Sequence, residues 1–250
     1  ESAFGSPEFA ETEKTAALLE DISKSHGLDY SRKFLLSEWT DVVDAWQIDS
    51  WDGYRDVARL GRKTRLGPKQ REGLWAMFSR LRAQLTEMRL TTWPGLFARV
   101  TAHYKETSPF DFVVVDEAQD VGVAELRFLL ALGSGNSDGL FFAVDLGQRI
   151  FQQPFSWRSL GVDIRGRSQT LKINYRTSHQ IRTQADRLLP GDISDVDGNS
   201  ENRRGTISLF DGPAPRIEFF DDADAEAQAV AQWIMDLIED GVEPQEIGIF

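Results

Sequence analysis

Apolar residues recur at helical spacing in the first part of the chain and form short continuous runs in the second part. Spacings of three and four residues, which predict an amphipathic helix, connect Leu74, Phe78, Leu81, Leu85 and Met88. From Phe110 onwards, β-branched and aromatic runs alternate with helix-type segments, a pattern typical of α/β folds. The chain therefore predicts a helical region at residues 11–105, followed by an α/β region.

Three apolar runs of the second part end in polar residues. The runs are Phe112–Val115, Leu140–Val144 and Thr170–Ile173, and the residues that follow them are Asp116 and Glu117, Asp145, and Asn174 to Arg176. Such runs predict strands that are buried on both faces of a parallel sheet. Ligands of these sheets bind beyond the carboxyl ends of the strands, so this edge is a candidate site. The alternative is a strand followed by an ordinary polar turn.

The remaining elements of the α/β region follow the same patterns. The predicted helices are 124–132, 178–189 and 223–240, and further predicted strands are 205–210, 216–220 and 247–250. The last helix and the two strands that flank it predict a βαβ unit that opens a second α/β domain.

Composition narrows the function classes. The 250 residues contain 41% hydrophobic and 27% charged residues, and no apolar run approaches the length of a membrane span. Cysteine is absent, so a disulfide framework and a thiolate metal site are excluded, which fits a cytoplasmic protein. The net charge of −12 argues against a protein that coats nucleic acid nonspecifically.

Two clusters in the helical region have alternative interpretations. Tryptophans at this density predict packing between helices rather than a ligand box; they are Trp39, Trp46, Trp51, Trp75 and Trp93. The basic run predicts either a surface that follows nucleic-acid phosphates or a solvated helix face; it consists of Arg55, Arg59, Arg62, Lys63, Arg65, Lys69 and Arg71.

A phosphate loop is missing from the sequence. The segment 61–64, Gly-Arg-Lys-Thr, has an Arg between its Gly and its Lys and follows no apolar strand, whereas a phosphate loop needs Gly-Lys at the end of a strand-loop-helix unit. At the start of the chain, Gly5–Phe9 resembles the remainder of a cloning linker. We therefore expect the natural protein to extend beyond this sequence.

The polar segments, taken together, resemble a known family. Val115 to Asp120, Asp145 to Phe151 and Asn174 to Thr177 are similar, in order and spacing, to motifs II, III and IV of UvrD/Rep-type superfamily 1 helicases. The resemblance runs from about Lys33 to Phe250. It implies an α/β fold that contains part of a RecA-like parallel sheet of the P-loop NTPase type, an all-helical insertion and the start of a second RecA-like domain.

This resemblance also implies a domain organisation. The expected segments are a cloning-linker remainder (1–10), the helical insertion of the first motor domain (11–105), the latter part of that motor domain (106–190), a linker or exposed loop (191–215) and the beginning of the second motor domain (216–250).

Roles at the ATP site follow from the resemblance as well. Asp116 would bind Mg²⁺ through its water shell, and Glu117 would act on the attacking water. Gln148 would sense the γ-phosphate, and Arg176 would contact it as a finger. Gln119 and Asp120 would connect that state to neighbouring motifs, with a plain turn as the alternative for Asp120. The adenine would stack on Tyr175.

The resemblance also implies that residues after Gln148, the predicted γ-phosphate sensor, contact nucleic acid. Phe151, Phe155 and Trp157 would stack on single-strand bases, with Arg158 near the phosphates. For Phe155 and Trp157, a core position is the alternative.

We therefore expect the chain to be part of an ATP-dependent DNA helicase that moves 3′ to 5′ on single-stranded DNA, with RNA not excluded as the track. ATP and Mg²⁺ are the expected cofactors, and no membrane contact is expected. The alternative is a non-catalytic module that binds nucleic acid or, through its helical region, a protein. For the chain alone we expect no appreciable ATP hydrolysis, because the phosphate loop is missing.

Overall fold

A computed structural model describes the chain except residues 1–4, 61, 63, 134, 135, 137, 149–154, 189, 203, 204 and 250. The fold is mixed α/β, with about half of the described residues in helices and short strands in two-stranded sheets. Two compact units are present: Glu1–Thr170 with Gly191–Arg204, and Leu171–Pro190 with Gly205–Phe250. Residues 171–190 thus group with the later part of the chain, whereas the predicted limits assigned them to the first motor domain.

The α-helices of the described chain are α1 (Thr12–His26), α2 (Arg32–Glu38), α3 (Trp51–Asp56), α4 (Pro68–Glu87), α5 (Trp93–Tyr104), α6 (Val123–Leu132), α7 (His179–Asp186) and α8 (Ala223–Glu239). The strands are β1 (Glu8–Phe9), β2 (Leu90–Thr91), β3 (Val113–Val115), β4 (Leu140–Phe142), β5 (Ile173–Asn174), β6 (Asp192–Ser194), β7 (Ser200–Asn202) and β8 (Ile207–Ser208). The pairs β1–β2, β3–β4 and β5–β8 are parallel, and β6–β7 is antiparallel.

Local sequence signals define several helix ends. The hydroxyl of Ser31 accepts a hydrogen bond from the backbone N–H of Phe34 at the start of α2, a common way to satisfy an N-terminal donor. Pro68 occupies the first turn of α4, where its missing N–H costs nothing. α1 ends before Gly27, whose φ of +64° is a left-handed conformation that glycine adopts without steric cost.

The predicted stripe of α4 faces the core of the helical region. Leu74, Phe78, Leu81 and Leu85 are buried among apolar side chains of α1, α2 and α3 and of the turn that follows α2. Met88 is exposed instead, because α4 ends at Glu87 and the chain turns away there. Of the five tryptophans, Trp39 belongs to the buried core, Trp46, Trp51 and Trp75 pack against it, and Trp93 is exposed.

A buried carboxylate organises the basic run. Glu38 is 0% exposed and accepts hydrogen bonds from the hydroxyl of Tyr54 at 3.0 Å and from Nε of Arg59 at 2.9 Å. A third hydrogen bond comes from the Arg62 guanidinium at 2.8 Å. Burial is also the main reason why the pKa of Tyr54 lies well above its ordinary value. Charge and hydrogen-bonding capacity of Glu38 are thus satisfied inside the protein, as a buried ion requires.

This network shows what four arginines of the basic run contact. Arg59 and Arg62 point inward to Glu38, and Arg71 donates to the backbone carbonyl of Arg55. Arg55 itself pairs with neighbouring aspartates on α3. These arginines therefore form neither a continuous phosphate-binding surface nor a simple solvated face, because much of their hydrogen-bonding capacity is used within the fold.

The α/β part of the first unit is built on β3 and β4. Val113 pairs with Leu140 and Val115 with Phe142 in parallel register, and α6 lies between the two strands in sequence. The prediction that this sheet is buried on both faces is wrong for the described chain, since Val114 is 73% exposed and Phe141 is also exposed. Side chains alternate between the faces of a strand, and Val115 and Phe142 pack on the opposite side against the cluster around Leu126.

In the second unit, β5 pairs with β8, and α7 packs beside this pair. The predicted helix at 223–240 is α8, which begins where Asp222 accepts a hydrogen bond from the backbone N–H of Ala225 at 2.8 Å. Residues 216–220 and 247–249 have no regular structure, so the predicted βαβ unit is not formed there. An isolated run of apolar residues needs a pairing strand to become part of a sheet.

We expect Glu38→Gln to lower the free energy of unfolding by roughly 3–5 kcal/mol, because it leaves the buried guanidinium of Arg59 without its counter-charge. Urea unfolding followed by circular dichroism measures this change. The control is Asp52→Asn, which removes an exposed carboxylate that pairs with Arg55 and should have little effect. Equal stability of the Glu38→Gln variant and the unmodified protein would show that the buried charge pair is not required for the fold.

Candidate functional site

Asp116 and Glu117 follow β3 directly, and both side chains are exposed. One carboxylate oxygen of Asp116 accepts a hydrogen bond from the backbone N–H of Glu117 at 2.9 Å. Glu117 has a φ of +52°, in the left-handed region that non-glycine residues rarely adopt. This conformation turns the chain sharply after the strand, and strained backbone of this kind is concentrated at functional sites.

A buried amide connects this acid turn to the end of β4. Gln119 is 4% exposed, and its Nε2 donates to Oε2 of Glu117 at 2.5 Å. Its Oε1 accepts from the backbone N–H of Asp145 at 3.1 Å. One side chain therefore contacts the turns that follow both parallel strands.

Backbone hydrogen bonds also connect the residues that follow β3 with those that follow β4. The N–H of Ala143 donates to the carbonyl oxygen of Val115 at 2.8 Å, and the N–H of Ala118 donates to the carbonyl oxygen of Ala143 at 2.9 Å. The 3₁₀ turn Ala118–Asp120 is thus attached to the end of β4. Asp120 is exposed at the end of that turn, and its N–H donates to the carbonyl oxygen of Glu117 at 3.0 Å.

Asp145 arranges the turn that carries Gln148. Its Oδ1 accepts from the backbone N–H of Gly147 at 2.9 Å, and its Oδ2 accepts from Nε2 of Gln148 at 2.7 Å. Gln148 itself is exposed. The sequence pattern placed Asp145 at a strand end but assigned it no role, although an acidic residue three positions before the predicted sensor was a usable signal.

Two predicted ATP contacts lie in the second unit. The side-chain oxygen of Asn174 accepts hydrogen bonds from the backbone N–H groups of Arg176 and Thr177, each at 2.9 Å, which turns the chain after β5. Tyr175 and Arg176 are both exposed on this turn. The structure thus brings Asp116, Glu117, Gln119 and Gln148 together in the first unit and places Tyr175 and Arg176 in the second.

The aromatic residues after Gln148 lie in the core of the first unit. Phe155 is 3% exposed and Trp157 is 8% exposed, and their rings stack with centroids 6.2 Å apart. Trp157 also meets the edge of Phe142 of β4 at 5.1 Å, and Phe155 contacts Trp46 at 6.5 Å. In this conformation neither ring presents a face to a nucleic-acid base, so the core alternative describes them.

Phe151 and Arg158 are the other two residues for which a nucleic-acid contact was predicted. Phe151 lies outside the described residues. Arg158 is exposed at the start of a short 3₁₀ turn, and its backbone N–H donates to a carboxylate oxygen of Asp197 at 3.0 Å. Its guanidinium is therefore the predicted nucleic-acid contact that is exposed in this structure.

The acid turn fits the way proteins bind Mg²⁺ beside a nucleotide. Such sites use one or two carboxylates together with phosphate oxygens and waters, rather than an all-protein cage. Asp116 supplies an exposed carboxylate of this kind. Within the described ranges, no group of three or more His, Asp or Glu side chains could bind a metal ion by itself, so a metal here would also need ligands from the nucleotide.

Comparison with known proteins leaves the family open, because no protein-family model matches the sequence and a search of curated proteins found no match. None of the described helices combines the length and the apolar character that crossing a membrane requires.

Replacing Gln119 with Ala should lower the free energy of unfolding by about 1–3 kcal/mol, since it leaves the backbone N–H of Asp145 without that partner in a partly buried position. Chemical denaturation measures the change. Gln228→Ala is the matched control, because it removes an exposed glutamine side chain from α8. If both variants unfold at the same denaturant concentration, Gln119 does not connect the two strand ends in solution.

Proposed function

We propose that this chain is part of an ATP-dependent DNA helicase of the UvrD/Rep type, which uses ATP hydrolysis to move 3′ to 5′ on single-stranded DNA. The observation that carries the proposal is the contact of Gln119 with both Glu117 and the backbone of Asp145. It joins an acid turn to a second polar turn at the carboxyl edge of a parallel strand pair, where nucleotides bind in α/β proteins.

Each exposed polar group of this edge has a task in the proposed reaction. The carboxylate of Glu117 accepts a hydrogen bond from the attacking water and orients it, and Asp116 would hold Mg²⁺ beside the nucleotide. The metal, when bound, neutralises charge that develops on the phosphates. Gln148 suits a sensor, since its amide both donates to a phosphate oxygen and accepts from water.

Two residues of the second unit have roles in the proposed reaction. Arg176 contacts the γ-phosphate, where a guanidinium stabilises the charge of the transition state. Tyr175 offers an exposed ring for the adenine. Both residues lie in a different compact unit from Glu117.

The partners of the proposed helicase are ATP, Mg²⁺ and single-stranded DNA, with RNA not excluded as the track. The exposed Arg158 is a phosphate contact in this proposal, whereas Phe155 and Trp157 are buried and serve the core. We also propose a cytoplasmic location, in keeping with the absence of cysteine from the sequence. A protein partner of the helical region remains compatible with the proposal.

The chain by itself should not hydrolyse ATP, because no segment of the sequence provides a phosphate loop for the β- and γ-phosphates. Release of phosphate from ATP, measured with and without Mg²⁺ and single-stranded DNA, tests this expectation. Magnesium-dependent turnover that disappears in Glu117→Gln would contradict it.

In the full-length protein, Glu117→Gln should reduce ATP turnover by about 100-fold or more, because the amide cannot take a proton from water. Binding of ATP, measured with a fluorescent analogue, should persist, since the phosphate contacts remain. Glu106→Gln provides the control, as it neutralises an exposed carboxylate outside the site. A full-length protein that hydrolyses no ATP in its unmodified form would favour a non-catalytic binding module.

A further inference from the structure

A cavity lies in the helical region of the first unit, among residues that the candidate ATP site does not use. It has a volume of about 450 Å³ and is formed by the end of α4, β2 and the start of α5. Three arginines are among its lining residues, Arg82, Arg89 and Arg99. Positive groups that converge on one cavity indicate an anionic ligand.

Arg82 provides the strongest indication. Its guanidinium carbon lies 5.8 Å from the ring centroid of the buried Trp39, and burial lowers its pKa. The carboxylates of Asp44 and Asp49 attract this guanidinium electrostatically. Among the described residues, the buried side-chain polar atom that has no hydrogen-bond partner is Oε1 of Gln84, so the guanidinium nitrogens of Arg82 are not sealed inside the protein and can be reached by an anion.

Backbone conformation at the cavity supports this reading. Among the described residues, three non-glycine residues have positive φ: Gln47 at +51°, Arg89 at +57° and Glu117 at +52°. The first two line this cavity, and the third belongs to the candidate ATP site. A left-handed conformation costs free energy that glycine avoids, and residues kept in such conformations concentrate at functional sites.

The one carboxylate that lines the cavity does not cancel its positive charge. Oδ1 of Asp44 accepts hydrogen bonds from the hydroxyl of Thr92 at 2.9 Å and from Nε2 of Gln47 at 2.7 Å. Burial, the largest influence, raises the pKa of Asp44. The cavity lining thus contains three arginines and one carboxylate, and that carboxylate accepts hydrogen bonds from two neutral donors.

We infer that this cavity binds a phosphate group, with the guanidiniums of Arg82 and Arg89 as its main ligands. Phosphate suits them because its several oxygens accept paired hydrogen bonds from planar guanidinium groups. The phosphate belongs either to a nucleic-acid backbone or to a free phosphate compound. The inference does not depend on ATP hydrolysis, since it rests on residues outside the candidate ATP site.

Two variants test the site, and a third serves as the control. Arg89→Gly removes a guanidinium from an exposed position and relieves the left-handed backbone, so its unfolding midpoint should not fall. Arg82→Gln removes the guanidinium that lies over Trp39. The control, Arg80→Gln, removes the same charge from an exposed position of α4 that does not line the cavity.

The probes are inorganic phosphate, followed by isothermal titration calorimetry, and a fluorescein-labelled oligothymidine, followed by anisotropy across a salt series. Each cavity variant should weaken binding of the responding probe by about tenfold or more, as expected for a hydrogen bond to a charged group, while Arg80→Gln should not. For the oligonucleotide, each lost phosphate contact should also reduce the slope of log K against log salt by about 0.7.

The outcomes separate the two sources of phosphate. Oligonucleotide binding that both cavity variants weaken supports a nucleic-acid backbone in the cavity. Binding of inorganic phosphate that both cavity variants weaken, with no variant effect on the oligonucleotide, supports a free phosphate compound. If binding of each probe is absent, or is the same in Arg89→Gly, Arg80→Gln and the unmodified chain, the inference is overturned, whatever the outcome for ATP hydrolysis.

Discussion

Two parallel strands are connected, at the end where their polar residues lie, by the side-chain amide of Gln119. Because this amide is buried and uses both of its polar atoms, it cannot move without leaving a donor or an acceptor unpaired. The position of Glu117 is therefore coupled to the turn that Asp145 arranges. The aromatic cluster of Phe142, Phe155 and Trp157 lies in the same unit and packs Phe155 and Trp157 beside β4.

In the helical region, the buried carboxylate of Glu38 fixes its neighbours in the way that the buried amide of Gln119 does at the strand ends. Glu38 attracts Arg59 and Arg62 into the interior, so that arginines of the basic run serve the fold itself. Other arginines, at the end of α4 and on α5, line a cavity of the same region. The same residue type thus has two kinds of position in one helical region: Arg59 and Arg62 form ion pairs with a fully buried carboxylate, whereas Arg82 lies at a cavity.

The spacing of apolar residues and the capping residues predicted the helices correctly, because these signals lie within the helix itself. The stripe of α4 is buried where a period of 3.6 places it, and α8 begins at a capping aspartate that the sequence displays. The segments at 216–220 and 247–249 carry strand-type residues without forming strands. A strand needs a hydrogen-bonding neighbour, and the identity of that neighbour is a long-range property that a run such as Ile217 to Phe220 does not contain.

At the candidate site, chain order and residue type already identified Asp116, Glu117, Gln119 and Gln148, because polar residues after apolar runs indicate the edge of a parallel sheet. Residue type could not determine which aromatic side chains are exposed: Phe155 and Trp157 are buried because β4, α6 and Trp46 surround them. It also could not show that Arg59 meets Glu38 while Arg82 faces a cavity. Contacts between residues distant in sequence depend on how helices and strands pack, and packing is a property of the whole fold.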